Sequence, residues 1–228
     1  MKSMTAQLGY WKIRGLAAPI RMLLHYCEVP FADVQYEQSD PPELSAAAWL
    51  DKKFTLGLAF PNLPYYLDDR GKFVQTLAIM RYIAARHGAS AGGGLGHDDS
   101  QVDMMAQVAM DLRNAFARCC YGSRSMAEVD SAVAHDIGPQ LAAWDRHLAT
   151  VGSFCTGERL SYADFFLAEH LDQIRLVLPG AVQQHSALCA YVDRFFALAK
   201  IQDFVRTPLY MKWPVNNKSA FVGAKPAV

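Results

Sequence analysis

The sequence has no charge excess of either sign, no long apolar run and no paired cysteines. Lysine plus arginine number 22, and aspartate plus glutamate also number 22. That balance gives no electrostatic case for nucleic acid or an anionic membrane surface as a partner. No stretch approaches the roughly 18 uninterrupted apolar residues that would span a bilayer. The opening MKSMTAQLGYW lacks the apolar centre of a secretory signal. Cys27, Cys119, Cys120, Cys155 and Cys189 are odd in number and show no CxxC spacing, which speaks against disulfide staples and a zinc site. The histidines show no HExxH spacing, so no metal is expected. These absences together lead to the expectation of a reduced, soluble, cytoplasmic protein.

What is present reads as two halves. The 228 residues, 52% hydrophobic and 19% charged, suit an ordered chain with room for one large or two small domains. Leu8 to Trp11 is a short apolar run. Leu16, Ile20, Leu23, Leu24 and Cys27 then recur at helical spacing. In Phe31 to Tyr36, residues Ala32, Val34 and Tyr36 alternate against Asp33 and Gln35, as in a half-buried strand. Asn62 to Leu67 and Lys72 to Val74 flank a hairpin turn at Asp68-Asp69-Arg70-Gly71, and a helix follows through Leu77 and Ile83. The segment 88–100, rich in glycine, alanine and aspartate, reads as a linker. Beyond it lie helical stripes: Met105, Ala109, Leu112, Phe116 and Cys119, then Leu167, Leu171, Ile174 and Leu178, then Leu188, Tyr191, Phe195 and Leu198. Ser161-Tyr-Ala-Asp164 is a capping-box-like helix start. An α/β unit over 5–87 is thus expected to precede an all-helical unit over 101–228 with a C-terminal tail.

Three stretches, GYWKIRGLAAPIRMLL, WLDKKFTLGLAFPNLPYYLDD and QTLAIMRYIAARHG, stand in order with sensible spacing. Together they resemble the thioredoxin-like domain of mu-class glutathione transferases. VDMMAQVAMDLRNAFARCCY and GERLSYADF extend the resemblance through the helical half. The resemblance implies the glutathione transferase fold, glutathione as co-substrate with no tightly bound cofactor, a hydrophobic electrophile as second substrate, and a homodimer.

Glutathione carries two carboxylates, an ammonium and a thiol, so its site needs several donors, an anion and a group aimed at sulfur. The resemblance assigns the sulfur to Tyr10. A free thiol titrates near ~8.5 and a phenol near ~10, so at neutral pH a phenol can still donate and favour the thiolate. The resemblance places Trp11, Leu16, Asn62, Leu63 and Pro64 along the tripeptide, with Pro64 cis and Leu63 offering its backbone to the cysteinyl amide. Gln75 and Thr76, where a strand gives way to a helix, are assigned the γ-glutamyl carboxylate. Trp49 and Lys53 are assigned the glycyl carboxylate. Asp111 is assigned the glutamyl ammonium across a dimer interface.

Ile13, Leu16, Arg113, Asn114, Ala117 and Tyr121 would line the electrophile pocket, with Tyr121 as a hydrogen-bond donor there and Trp213 covering it from the tail. Phe60 resembles an aromatic key inserted into the partner subunit, and Arg81 an interface arginine. The sequence departs from the family pattern at Ala46, where an arginine is usual, at Ala59 for aspartate and at Leu77 for asparagine. Loss of that arginine would weaken glutathione binding unless Lys52 compensates. The expected activity is conjugation of glutathione to hydrophobic electrophiles in detoxification. The alternative is a non-catalytic carrier of hydrophobic ligands, or a structural protein, with the same fold.

Overall fold

In a computed structural model that describes residues 5–88 and 100–225, Ala6–Trp11 forms β1 with Leu8, Gly9 and Tyr10 buried. A Cβ on Gly9 would run into the Tyr65 ring, so only glycine lets the two strands approach. β1 pairs in parallel with β2 (Phe31–Tyr36) and antiparallel with β3 (Tyr65–Leu67), which pairs antiparallel with β4 (Lys72–Val74). The sheet order is β2-β1-β3-β4. A parallel pair needs a crossover, and α1 (Ala18–Tyr26) provides it, burying Ile20, Met22, Leu23 and Leu24. α2 (Ala47–Lys53) leads toward β3, and α3 (Thr76–His87) follows β4. The β3–β4 turn closes where Asp68 Oδ1 accepts the N–H groups of Arg70 and Gly71 at 2.9 and 3.0 Å.

Three local expectations change. The first helix begins at Ala18 rather than Leu16, because Gly15 has φ +40 and Pro19 starts the helix. β3 begins at Tyr65 rather than Asn62, since Pro64 has no N–H to give a ladder. In β2, Ala32 is exposed while Asp33 turns inward. There both Asp33 carboxylate oxygens accept from Arg21 Nε at 3.0 Å, and Arg21 is 1% exposed.

The elements that follow are helical: α4 (Ser100–Gly122), α5 (Met126–Ala132), a π-helical segment (Val133–Ile137), α6 (Gly138–Leu148), α7 (Tyr162–Val177), α8 (Pro179–Val182), α9 (Ser186–Phe196) and α10 (Ala199–Val205). The described tail beyond α10 is irregular. Apart from its ends, the expected linker over 88–100 lies outside the described residues. α7 was expected to bury one stripe, but it is enclosed nearly all round, packing against α1, α4 and α9. Its start is the capping box: Asp164 Oδ2 accepts from Ser161 N–H and Oγ–H, both at 2.8 Å. Asp164 Oδ1 takes the Cys155 N–H and the Tyr191 hydroxyl. One apolar cluster runs from Leu8 and Ile20 through Phe166 to Val192, so both halves share a core.

Candidate functional site

Tyr10 is the next-to-last residue of β1, at 5% exposure. Its Oη accepts the backbone N–H of Leu16 at 3.2 Å, so its own proton remains to donate elsewhere. The intervening loop is held from several sides. Arg21 donates to the Ile13 carbonyl at 3.0 Å. Tail carbonyls of Pro214 and Val215 accept the N–H groups of Arg14 at 2.8 Å and Gly15 at 3.1 Å. Arg14 is itself buried, bound to Glu169 Oε1 at 2.8 Å and Asp172 Oδ2 at 2.9 Å. Burial alone would lower the Arg14 pKa, but these carboxylates override it and raise the value.

At the start of α3, Gln75 has φ +71 and is exposed. Thr76 is 3% exposed, and its Oγ1 is buried without a hydrogen-bond partner. An orphan hydroxyl among helix N-terminal N–H groups suits a carboxylate. The Leu63–Pro64 peptide is cis. The Leu63 N–H, expected to meet the cysteinyl amide, donates to Asn62 Oδ1 at 2.9 Å and must exchange that partner to receive a ligand.

Trp49 turns into an aromatic group, 5.3 Å from the Tyr36 ring and 6.1 Å from Tyr65, while Tyr36 and Tyr65 share a hydroxyl contact of 2.9 Å. Trp11 and Leu63 pack against this group. Lys53 lies one turn beyond Trp49 with its ammonium over the Phe54 ring. Lys52 is exposed, and Ala46 precedes α2 without a side-chain cap.

On α4, Arg113, Asn114 and Ala117 are partly buried and Asp111 is exposed. Arg113 donates to Asn114 at 3.2 Å. Tyr121 is 41% exposed, and its hydroxyl accepts the Asn217 N–H at 2.8 Å. Burial pushes the Tyr121 pKa up to about 12; the Asn217 N–H opposes that rise and Tyr10 adds to it. Tyr121 therefore stays protonated at neutral pH, within electrostatic reach of Tyr10. A cleft of about 400 Å³ beside the loop is lined by Lys12, Ile13, Tyr36, Met211, Trp213 and Asn217.

Phe60 is 79% exposed, and so is Phe54. Arg81 pairs with Asp103 at 3.1 Å, and Asp103 also accepts the Tyr162 hydroxyl. Arg14, Glu169, Gln173 and the tail residues Pro214, Val215 and Asn217 were not singled out from sequence. Their partners lie up to 200 residues away, as between Arg14 and Pro214, and no local pattern signals them.

The sequence matches the family model for the glutathione S-transferase N-terminal domain over residues 6–85 and that for the C-terminal domain over 110–208. It is 36% identical to the class-mu 26 kDa isozyme 51 of Fasciola hepatica, across 96% of this chain and 97% of that one. It is also 36% identical to glutathione S-transferase Mu 3 of Homo sapiens, across 96% of each. Among solved structures, the glutathione S-transferase Blo t 8 superposes with a TM-score of 0.81 at 26% identity, over 95% of this chain and 99% of that one. The Pi-class glutathione S-transferase of Onchocerca volvulus gives 0.78 at 26%, over 95% and 100%. Matched in both domain models and along nearly its whole length by these relatives, the chain belongs to the glutathione S-transferase family, mu class.

Proposed function

We propose that this protein conjugates glutathione to hydrophobic electrophiles, with Tyr10 stabilising the thiolate. One observation carries the assignment of Tyr10. Its buried oxygen already accepts the Leu16 N–H, which leaves the phenolic proton for an anionic sulfur. The thiolate then attacks the electrophilic carbon. With a chlorodinitrobenzene, a carbon–sulfur bond forms and chloride leaves with its electron pair. The bound thiol's proton is released to solvent before attack.

The orphan Thr76 hydroxyl at the start of α3 supports that end of the site as the γ-glutamyl carboxylate subsite. Trp49 and Lys53 would serve the glycyl end, where Ala46 leaves one cation fewer. The cleft carrying Ile13 and Trp213, with Tyr121 nearby, would take the electrophile, so that proximity supplies part of the rate. Exposed Phe60 and Asp111 favour a homodimer in which Asp111 reaches the partner's glutathione. All five cysteines are free, which suits action in the reducing cytoplasm.

The test is conjugation of glutathione to chlorodinitrobenzene by native protein and Tyr10→Phe across pH. A charge-assisted hydrogen bond contributes about 1.5–3 kcal/mol, so kcat/KM should fall roughly 10- to 100-fold at neutral pH and recover as pH rises. Unchanged activity would remove Tyr10 from the role.

A further inference from the structure

The Gly15–Leu16 peptide unit is gripped at both ends. Its carbonyl oxygen accepts from Gln173 Nε2 at 3.1 Å, and its N–H donates to Tyr10 Oη at 3.2 Å. Gln173 lies on α7 in the helical half and is 2% exposed. The same Nε2 donates to Glu169 Oε1 at 3.0 Å, and Glu169 holds Arg14. A line of hydrogen bonds thus runs from a buried side chain of one half, through a single amide, to the phenol of the other.

We propose that Gln173 is a positioning residue for Tyr10, an inference that rests on the sulfur role given to Tyr10 above. A trans peptide is planar, so fixing its carbonyl direction also fixes its N–H direction. Gly15, at φ +40, is the residue least able to hold that plane unaided. The neighbouring restraints act on other peptide units: Arg21 on the Ile13 carbonyl, the tail on the N–H groups of Arg14 and Gly15. Gln173 is the side chain that grips the unit facing Tyr10. Its hydrogen bond also polarises the amide and strengthens the Leu16 N–H as a donor. With one phenol lone pair so occupied, the hydroxyl proton is directed toward the sulfur.

The charged and titratable groups around this line are Arg14 from the loop, Arg21 from α1, Glu169, His170 and Asp172 from α7, Tyr210 from the tail, and Arg113 and Tyr121 from α4. Gln173 is uncharged, so removing its donor leaves their formal charges in place.

The experiment measures Gln173→Met and Gln173→Leu, alone and combined with Tyr10→Phe, in glutathione conjugation across pH. Ultraviolet absorbance of the thiolate in the glutathione complex is followed alongside thermal unfolding. Loss of one neutral hydrogen bond should lower kcat/KM roughly fivefold at neutral pH and move the thiolate midpoint up by about half a pH unit. Affinity for S-methylglutathione, which has no thiol proton, should stay unchanged, and neither substitution should have a further effect in Tyr10→Phe. A lower melting temperature with an unmoved midpoint overturns the inference, as does an equal loss in the Tyr10→Phe background. If Tyr10→Phe alone retains native activity, the sulfur role itself fails and the positioning role fails with it.

Discussion

Gly15 faces the Tyr10 ring so closely that a Cβ built there would lie 2.8 Å from both Cε1 and Oη. The backbone at Gly15 also has φ +40, which side-chain-bearing residues rarely adopt. Gly15→Ala should therefore displace the phenol and strain the loop together, at about 1–3 kcal/mol. We expect a lower melting temperature and at least a tenfold loss of kcat. Gly57→Ala is the control: Gly57 has φ +64, but its Cβ would meet only the end of the Lys72 side chain. It should lose stability and keep kcat, read by thermal melts and steady-state assays.

Thr76→Val should have opposite effects on stability and binding. The buried hydroxyl has no partner, and an unsatisfied buried group costs about 1–3 kcal/mol. Its isosteric removal should leave the ligand-free protein as stable as before or more so. The KM for glutathione should rise about tenfold if the hydroxyl meets the γ-glutamyl carboxylate, a loss of about 1.4 kcal/mol. Melting curves with and without glutathione separate the two effects, and an unchanged KM would remove Thr76 from the site.

His170 governs part of the acid sensitivity. Burial first, then the charge of Arg113, pushes its pKa down to about 3. The unfolded chain binds that proton near ~6.5. Between pH 6.5 and 3 the unfolded state therefore holds a proton that the folded state refuses, and stability falls as pH falls. The slope is about 1.4 kcal/mol per pH unit for this one group. His170→Leu should flatten that loss, so that from pH 7 to pH 5 native protein loses roughly 2 kcal/mol more than the variant. Urea midpoints at the two values measure it.

Phe60, 79% exposed, gains little from its own chain. If it packs into a partner subunit, Phe60→Ser should shift sedimentation toward the monomer and reduce conjugation, with little change in the stability of the isolated chain. A native protein that sediments as a monomer would overturn the dimer and the trans role of Asp111.

The sheet and helices were legible where the pattern is local. Leu8 and Tyr10 on one strand, the Asp68–Gly71 turn and the Ser161–Asp164 box all stand where the residues pointed. β2 was misread at Ala32 and Asp33, because alternation assumes that polar residues face water. Asp33 instead turns inward to Arg21, a partner on another element. The stripe on α7 was likewise only part of the burial, since its remaining faces meet elements remote in sequence.

By itself, then, the sequence determined which residue types could handle a thiol and a carboxylate, and the order in which the elements bring them forward. Short-range patterns and motif spacing record that directly. Only the tertiary structure decided how Tyr10 is held: by a loop whose restraints come from α1, α7 and the tail. It also decided that Leu63 starts with its N–H engaged and that Thr76 Oγ1 has no partner. The reason is geometric. A hydrogen bond between residues 158 apart leaves no local trace in sequence, because its formation depends on how two packed halves meet.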